Sequence, residues 1–154
     1  MTLSFNGFED GEGGCSFNGW DDGGLDARFI TNGWNNVRSG NCALRLQDDT
    51  STSTATSGTF NVTDYSTFKV DFWYKTNRNM GNQAGEHFHL DISFDGGSFT
   101  QYESWSDLAS NQYQNAVVDI DVADVDSVRV RFENEGSENQ DRLFIDDISL
   151  KAMV

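Results

Sequence analysis

Apolar and polar residues alternate at period two along several stretches of this 154-residue chain. That spacing is the signature of a half-buried β-strand. The clearest case is 68–75, where Phe68, Val70, Phe72 and Tyr74 share one face and Lys69, Asp71, Trp73 and Lys75 the other. A second strand is expected over 86–94, with Phe88, Leu90, Ile92 and Phe94 inward. Asp95-Gly96-Gly97 then reads as a turn, and 99–105 as the returning arm of a hairpin. Val118, Ile120 and Val122 alternate with acids; Val128, Val130 and Phe132 alternate with Arg129, Arg131 and Glu133. The last strand is expected over 143–150, with Asp146-Asp147 inside it. Residues 43–47 and 56–62 read as strands on either side of a Ser/Thr-rich connection, and Phe5 and Phe8 as part of the first strand. No helix of normal length is evident; 105–111 has room for one turn.

Eight or nine short strands with polar turns close most naturally as two antiparallel sheets packed face to face. The count and lengths predict an all-β jelly-roll β-sandwich. The Cys…Trp…Cys spacing of an immunoglobulin sandwich is missing. No repeat or linker breaks the pattern, so 1–154 is expected to be a single domain.

Composition then narrows the partners. Ten Lys+Arg against 25 Asp+Glu give a net charge of −15. Little basic surface remains to neutralise phosphates or to meet an anionic bilayer, so nucleic acid and membrane surfaces are poor partners. Such acidity often marks disorder, but an aromatic content of 13% argues for a packed core. The acids are mostly Asp, 18 against seven Glu, and Asp suits both turns and Ca²⁺ ligation. Met1-Thr2-Leu3-Ser4 reads directly into the domain without a secretory leader. That fits a cytosolic chain or a module cut from a secreted protein.

No distinctive catalytic triad is legible in the sequence, and a small hydrolase or lyase using His87 or His89 is the remaining enzymatic reading. The two histidines, His87 and His89, fall on one strand, and no G-x-S-x-G elbow occurs. Carboxylate pairs are too common here to mark a glycosidase. A non-catalytic role is therefore expected. His87, His89 and Asp91 share a strand face, but i, i+2, i+4 spacing is wide for one zinc ion. An exposed polar face is the plainer reading. Asp146-Asp147 lies between Phe144-Ile145 and Ile148, so one acid must turn inward unless a bulge intervenes. A hard cation would satisfy a buried carboxylate; capping of turns, or pairing with Arg45 or Arg142, would also serve. Cys15 and Cys42 either pair or stand as two small unpaired residues. As a disulfide they would contribute roughly 3 kcal/mol by loop closure.

If Phe68, Val70 and Phe72 face the core, Trp73 faces out. His87, His89 and Asp91 face out from the next strand, and Arg129, Arg131 and Glu133 from 128–132. Were these strands neighbours, they would form an aromatic and polar platform suited to a sugar, whose CH groups stack and whose hydroxyls hydrogen-bond. Trp20, Trp34 and Trp105, expected in loops, are further candidates. The alternative is that a loop covers Trp73 and the charged pairs are a solvated network.

Four segments carry a family resemblance. They are Phe8-Glu9-Asp10-Gly11 with Gly19-Trp20-Asp21-Asp22-Gly23-Gly24 and Asp26-Ala27-Arg28; Ser39-Gly40-Asn41-Cys42-Ala43-Leu44-Arg45-Leu46; the Phe88–Gly97 hairpin; and Asn139-Gln140-Asp141 followed by Leu143-Phe144-Ile145-Asp146-Asp147-Ile148. Together they resemble galactose-binding-like and MAM-like jelly-roll modules, including the carbohydrate-binding modules of secreted bacterial enzymes. The resemblance implies a structural Ca²⁺ between the first and last strands, with Glu9 and Asp146 as the matching ligands and Asp147 as a substitute. It also implies a binding surface on a sheet face or a loop rim. Trp73, His87, His89, Asp91, Arg129 and Arg131 would form the face, extended by Asp26 and Arg28. The function so implied is a non-catalytic module of a larger secreted bacterial protein, appended to catalytic or adhesin domains and directing it to a polysaccharide. The acidic charge favours a neutral polymer over a strongly anionic one. The alternative is a MAM-like adhesion or protein-interaction domain.

Overall fold

The computed structural model describes residues 2–6, 20–22, 27–31, 36–47, 53–77, 85–106, 111–136 and 141–154. Among them are twelve strands and no helix. In chain order these are β1 Thr2–Asn6, β2 Asp21–Asp22, β3 Ala27–Thr31, β4 Cys42–Gln47, β5 Thr54–Thr56 and β6 Phe60–Asn61. They continue as β7 Thr67–Thr76, β8 His87–Phe94, β9 Thr100–Trp105, β10 Gln114–Asp121, β11 Ser127–Glu135 and β12 Arg142–Met153.

One sheet has the order β10-β7-β12-β4-β3, with β1 also on β12. The other has the order β2-β5-β11-β8-β9, with β6 also on β11. Every pairing is antiparallel. The two sheets stack as the expected all-β jelly-roll sandwich, and the period-two segments become its long strands. The stretch 56–62 is not one strand: Ser57, Gly58 and Thr59 separate β5 from β6, and both short pieces pair with β11. Of the residues expected in the first strand, Phe5 lies in β1, while Phe8 is outside the described residues.

Apolar faces meet between the sheets. Phe68, Phe72, Phe88 and Phe132 are fully buried, each worth about 1.5–3 kcal/mol by transfer from water. Phe72 from β7 meets Phe132 from β11 edge-on, with ring centres 4.8 Å apart at 66°. Trp105 is not in a loop, where it was expected. It ends β9, lies inward and stacks on Phe88 at 4.7 Å and 13°. Trp20 is also core, stacked on Phe132 at 5.9 Å. Trp34 is outside the described residues. Both described loop candidates are therefore packing groups, as large aromatics usually are. Cys42 opens β4 and is disulfide-bonded; the sequence has one other cysteine, Cys15, outside the described residues.

A polar tie runs through the core of the sandwich. Asn134 of β11 donates from Nδ2 to the carbonyls of Leu46 on β4 (2.9 Å) and Asp141 (3.0 Å). Its Oδ1 accepts the amide of Gly136 at 2.9 Å.

Candidate functional site on the outer sheet faces

Strand register decides which outward residues meet. β8 and β11 are neighbours, with Asp91 opposite Arg131 and His89 opposite Glu133. Glu135 stands opposite His87, and Ser93 opposite Arg129. Alternation puts all of these on the outer face, away from Leu90, Ile92, Val130 and Phe132. Cross-strand neighbours on one face are close enough to bond.

They form a single network. Arg131 donates to Asp91 Oδ2 from Nε at 2.8 Å and from Nη2 at 2.7 Å, a two-pronged grip. The other oxygen of Asp91 bonds His89 Nδ1 at 2.6 Å. On the far side of the ring, His89 Nε2 lies 3.4 Å from Glu135 Oε1 and 3.8 Å from Glu133 Oε2. Arg131 Nη2 also lies 3.5 Å from Glu133. The ring of Phe99, from the β8–β9 connection, lies under the Arg131 guanidinium at 4.5 Å and near that of Arg129 at 5.6 Å. His87 stacks on His89 at 5.6 Å and bonds the Gly85 carbonyl through Nδ1 at 2.8 Å.

Burial and charge shape this cluster. Asp91 and His89 are buried although they point outward. The hydrogen bond to Asp91 is the chief cause of a raised His89 pKa. Burial alone pushes Asp91 up, but His89 and Arg131 together outweigh it and hold its pKa below the usual carboxylate value. Burial also raises Glu133. Asp91 therefore supports the other groups, and Arg131, Glu133 and Glu135 are the more exposed members of the network. His89, Glu133 and Glu135 offer one donor atom each, all within 4.8 Å of one another, and could hold a metal ion.

Sequence reasoning identified His87, His89, Asp91, Arg129 and Arg131 as one outward set, and the structure brings them together. It missed Glu135 and Phe99 and gave Glu133 no site role. The period-two run Arg129, Arg131, Glu133 extends to Glu135, so that signal was present. Phe99 carried none, since its position depends on the turn.

Trp73 does not join this set. β7 belongs to the other sheet, so Trp73 lies on the opposite outer face of the sandwich. The Arg38 guanidinium covers its ring at 3.7 Å. Arg28 also lies in that sheet, exposed on β3, and Asp26 is outside the described residues. The single platform expected from Trp73, His89 and Arg131 is thus divided between two faces by strand order.

The Trp73 face holds the acidic pair. Asp146 stands opposite Trp73, and Ser149 opposite Asp71, so Asp147 and Ile148 share the space facing Phe72. This is a β-bulge, with Asp147 in the left-handed region at φ 50°. It lets both acids face out while Ile148 returns to the core. Buried Asp146 accepts the amides of Arg38 (3.0 Å) and Ser39 (3.1 Å) on Oδ2, and that of Asp147 (2.8 Å) on Oδ1. Asp147 accepts from Ser39 Oγ at 2.6 Å and pairs with Arg38. Among the described contacts, Arg38 is the cation that meets these acids, in place of Arg45 or Arg142. Burial raises the Asp146 pKa to about 6 despite its three amide donors. The remaining predicted ligand, Glu9, is outside the described residues. On the same face Ile30, Asn36, Arg45, Arg142 and Phe144 line a cavity of about 260 Å³.

No protein-family model matches the chain, and no curated protein is similar to it in sequence. Solved structures do share its fold. A family 61 carbohydrate-binding module solved with beta-1,4-galactotriose has a TM-score of 0.61 at 19% identity, covering 88% of this chain and 90% of that one. A cleaved adhesin domain of Lys-gingipain from Porphyromonas gingivalis has a TM-score of 0.69 at 14% identity, covering 100% and 99%. A family 22 xylan-binding domain from Paenibacillus barcinonensis has a TM-score of 0.61 at 12% identity, covering 99% and 95%. The fold is therefore that of a carbohydrate-binding-module-like jelly roll, shared with adhesin domains.

Proposed function

We propose that this protein is a non-catalytic carbohydrate-binding module that directs a larger secreted bacterial protein to a polysaccharide. The observation that carries the reading is the outer face of β8 and β11. There Arg131, held by Asp91 on one side and resting on Phe99 on the other, presents a fixed planar donor beside Glu133 and His89. Sugar hydroxyls take such in-plane donors and acceptors, and a pre-held network loses little entropy on binding. The fold neighbours solved with galactotriose or described as xylan-binding support the class of ligand.

Electrostatics favours a neutral glycan. Asp91 and Glu133 pair with Arg131 and Glu135 pairs with His89, three carboxylates in one cluster on a chain of net charge −15. A uronic or sulfated polymer would be repelled there. The bulged Asp146–Asp147 pair, with Glu9, would hold a structural Ca²⁺ that fastens the last strand to the 36–41 loop. Adhesin domains share the fold at comparable TM-score, so protein adhesion is the second reading.

Affinity electrophoresis against neutral and acidic polysaccharides tests the proposal. Retardation by a neutral polymer, abolished in Arg131→Ala, is expected. Absence of retardation by every polymer would move the assignment to adhesion.

A further inference from the structure

The outer face of β8 and β11 contains an arrangement that sugar recognition does not require. Asp91 fixes His89 through Nδ1 at 2.6 Å, so in the neutral ring the Nδ1 proton is the one donated. The Nε2 lone pair then points at two carboxylates, Glu135 at 3.4 Å and Glu133 at 3.8 Å. A lone pair facing two anions needs a positive centre between them. A proton on Nε2 makes only a long hydrogen bond to Glu135, at 3.4 Å, and does not reach Glu133 at 3.8 Å. A Zn²⁺ ion bound at roughly 2.0–2.1 Å sets tetrahedral donor atoms about 3.3 Å apart, which the 3.4 Å His89–Glu135 gap matches, while Glu133 at 3.8 Å would close in by a small side-chain movement.

We propose that His89 Nε2, a Glu133 oxygen and a Glu135 oxygen bind one divalent transition-metal ion of the Zn²⁺ class. The donors come from facing positions of neighbouring strands, so the site differs from the i, i+2, i+4 set His87, His89 and Asp91 along one strand. Its supporting shell is already built: a carboxylate orients the ligating imidazole, and Arg131 in turn orients that carboxylate. Charge favours the ion, since with His89 neutral the three carboxylates of Asp91, Glu133 and Glu135 against the one cation Arg131 leave two negative charges in the cluster. The imidazole nitrogen selects Zn²⁺ over Ca²⁺ or Mg²⁺, which prefer all-oxygen cages. Three protein donors leave a position open, and the Glu135 side chain, 47% exposed, marks the side facing solvent. Water, or an oxygen of a bound molecule, completes the coordination.

Calorimetric titration of the chelator-treated, dialysed protein with ZnCl₂, in millimolar Ca²⁺ to fill hard oxygen sites, tests this. One equivalent of Zn²⁺ is expected to bind. Glu135→Gln and Glu133→Gln should each weaken it tenfold or more, and Asp119→Asn, on β10 of the other sheet, should leave it unchanged. Glu135 is a half-exposed surface group, so its variant is expected to fold normally. Co²⁺ should give a visible d–d spectrum that Glu135→Gln alters. Binding that survives both glutamate variants, or the absence of binding up to millimolar Zn²⁺, overturns the assignment. No polysaccharide takes part, so this inference and the glycan reading fail separately.

Discussion

The guanidinium of Arg38 lies 3.7 Å from the centre of the Trp73 ring, while Arg38 also pairs with Asp147. The outward tryptophan of β7 is thus covered by a group that the acidic pair holds in place. It is not an open stacking platform. Trp73→Ala is accordingly expected to leave polysaccharide retention unchanged, whereas Arg131→Ala removes it. Affinity gels of both variants check this. The reverse pattern would place the ligand on the other face, near the cavity beside Phe144.

Calcium should stabilise the fold through Asp146. Added Ca²⁺ at about a hundredfold its Kd contributes about 2.7 kcal/mol, which for a domain of this size raises Tm by roughly 5–10 °C. Chelator should reverse the shift, and Asp146→Asn should abolish it. Melting curves with and without Ca²⁺ decide; an unresponsive wild-type protein would leave the amides of Arg38, Ser39 and Asp147 as the sole support of that carboxylate.

Asn134 should matter more than its size suggests. Asn134→Ala withdraws two donors from buried carbonyls on Leu46 and Asp141 and an acceptor from the Gly136 amide. A loss of about 2–3 kcal/mol is expected in urea unfolding, with an unchanged slope. A loss below half a kcal/mol would mean that the two sheets do not depend on this tie.

Gly136 sits where no side chain fits. A Cβ there would lie 2.5 Å from the Cβ of buried Asp141. Gly136→Ala should cost about 1–3 kcal/mol by overpacking. Thermal melting checks this, and Gly97→Ala, where a new Cβ would meet a carbonyl oxygen at the longer distance of 3.1 Å, should cost less.

The sequence by itself determined the class of fold, because period-two alternation converts directly into strands with one buried face. Phe68, Val70, Phe72, Phe88, Leu90, Ile92, Val130 and Phe132 are all buried where alternation placed them. For Asp146 and Asp147 it left two outcomes open, an inward acid or a bulge, and the bulge is the one the structure has. Tertiary structure decided what alternation cannot encode, which is the order of strands. β7 and β8 are consecutive long strands yet lie in different sheets, so Trp73 and His89 occupy opposite outer faces. β8 and β11 are far apart in sequence yet adjacent in space, so His89 meets Glu133 and Glu135. Local sequence sets which side of a strand a residue faces. Which residues become neighbours depends on long-range pairing, chosen by the packing of the whole core.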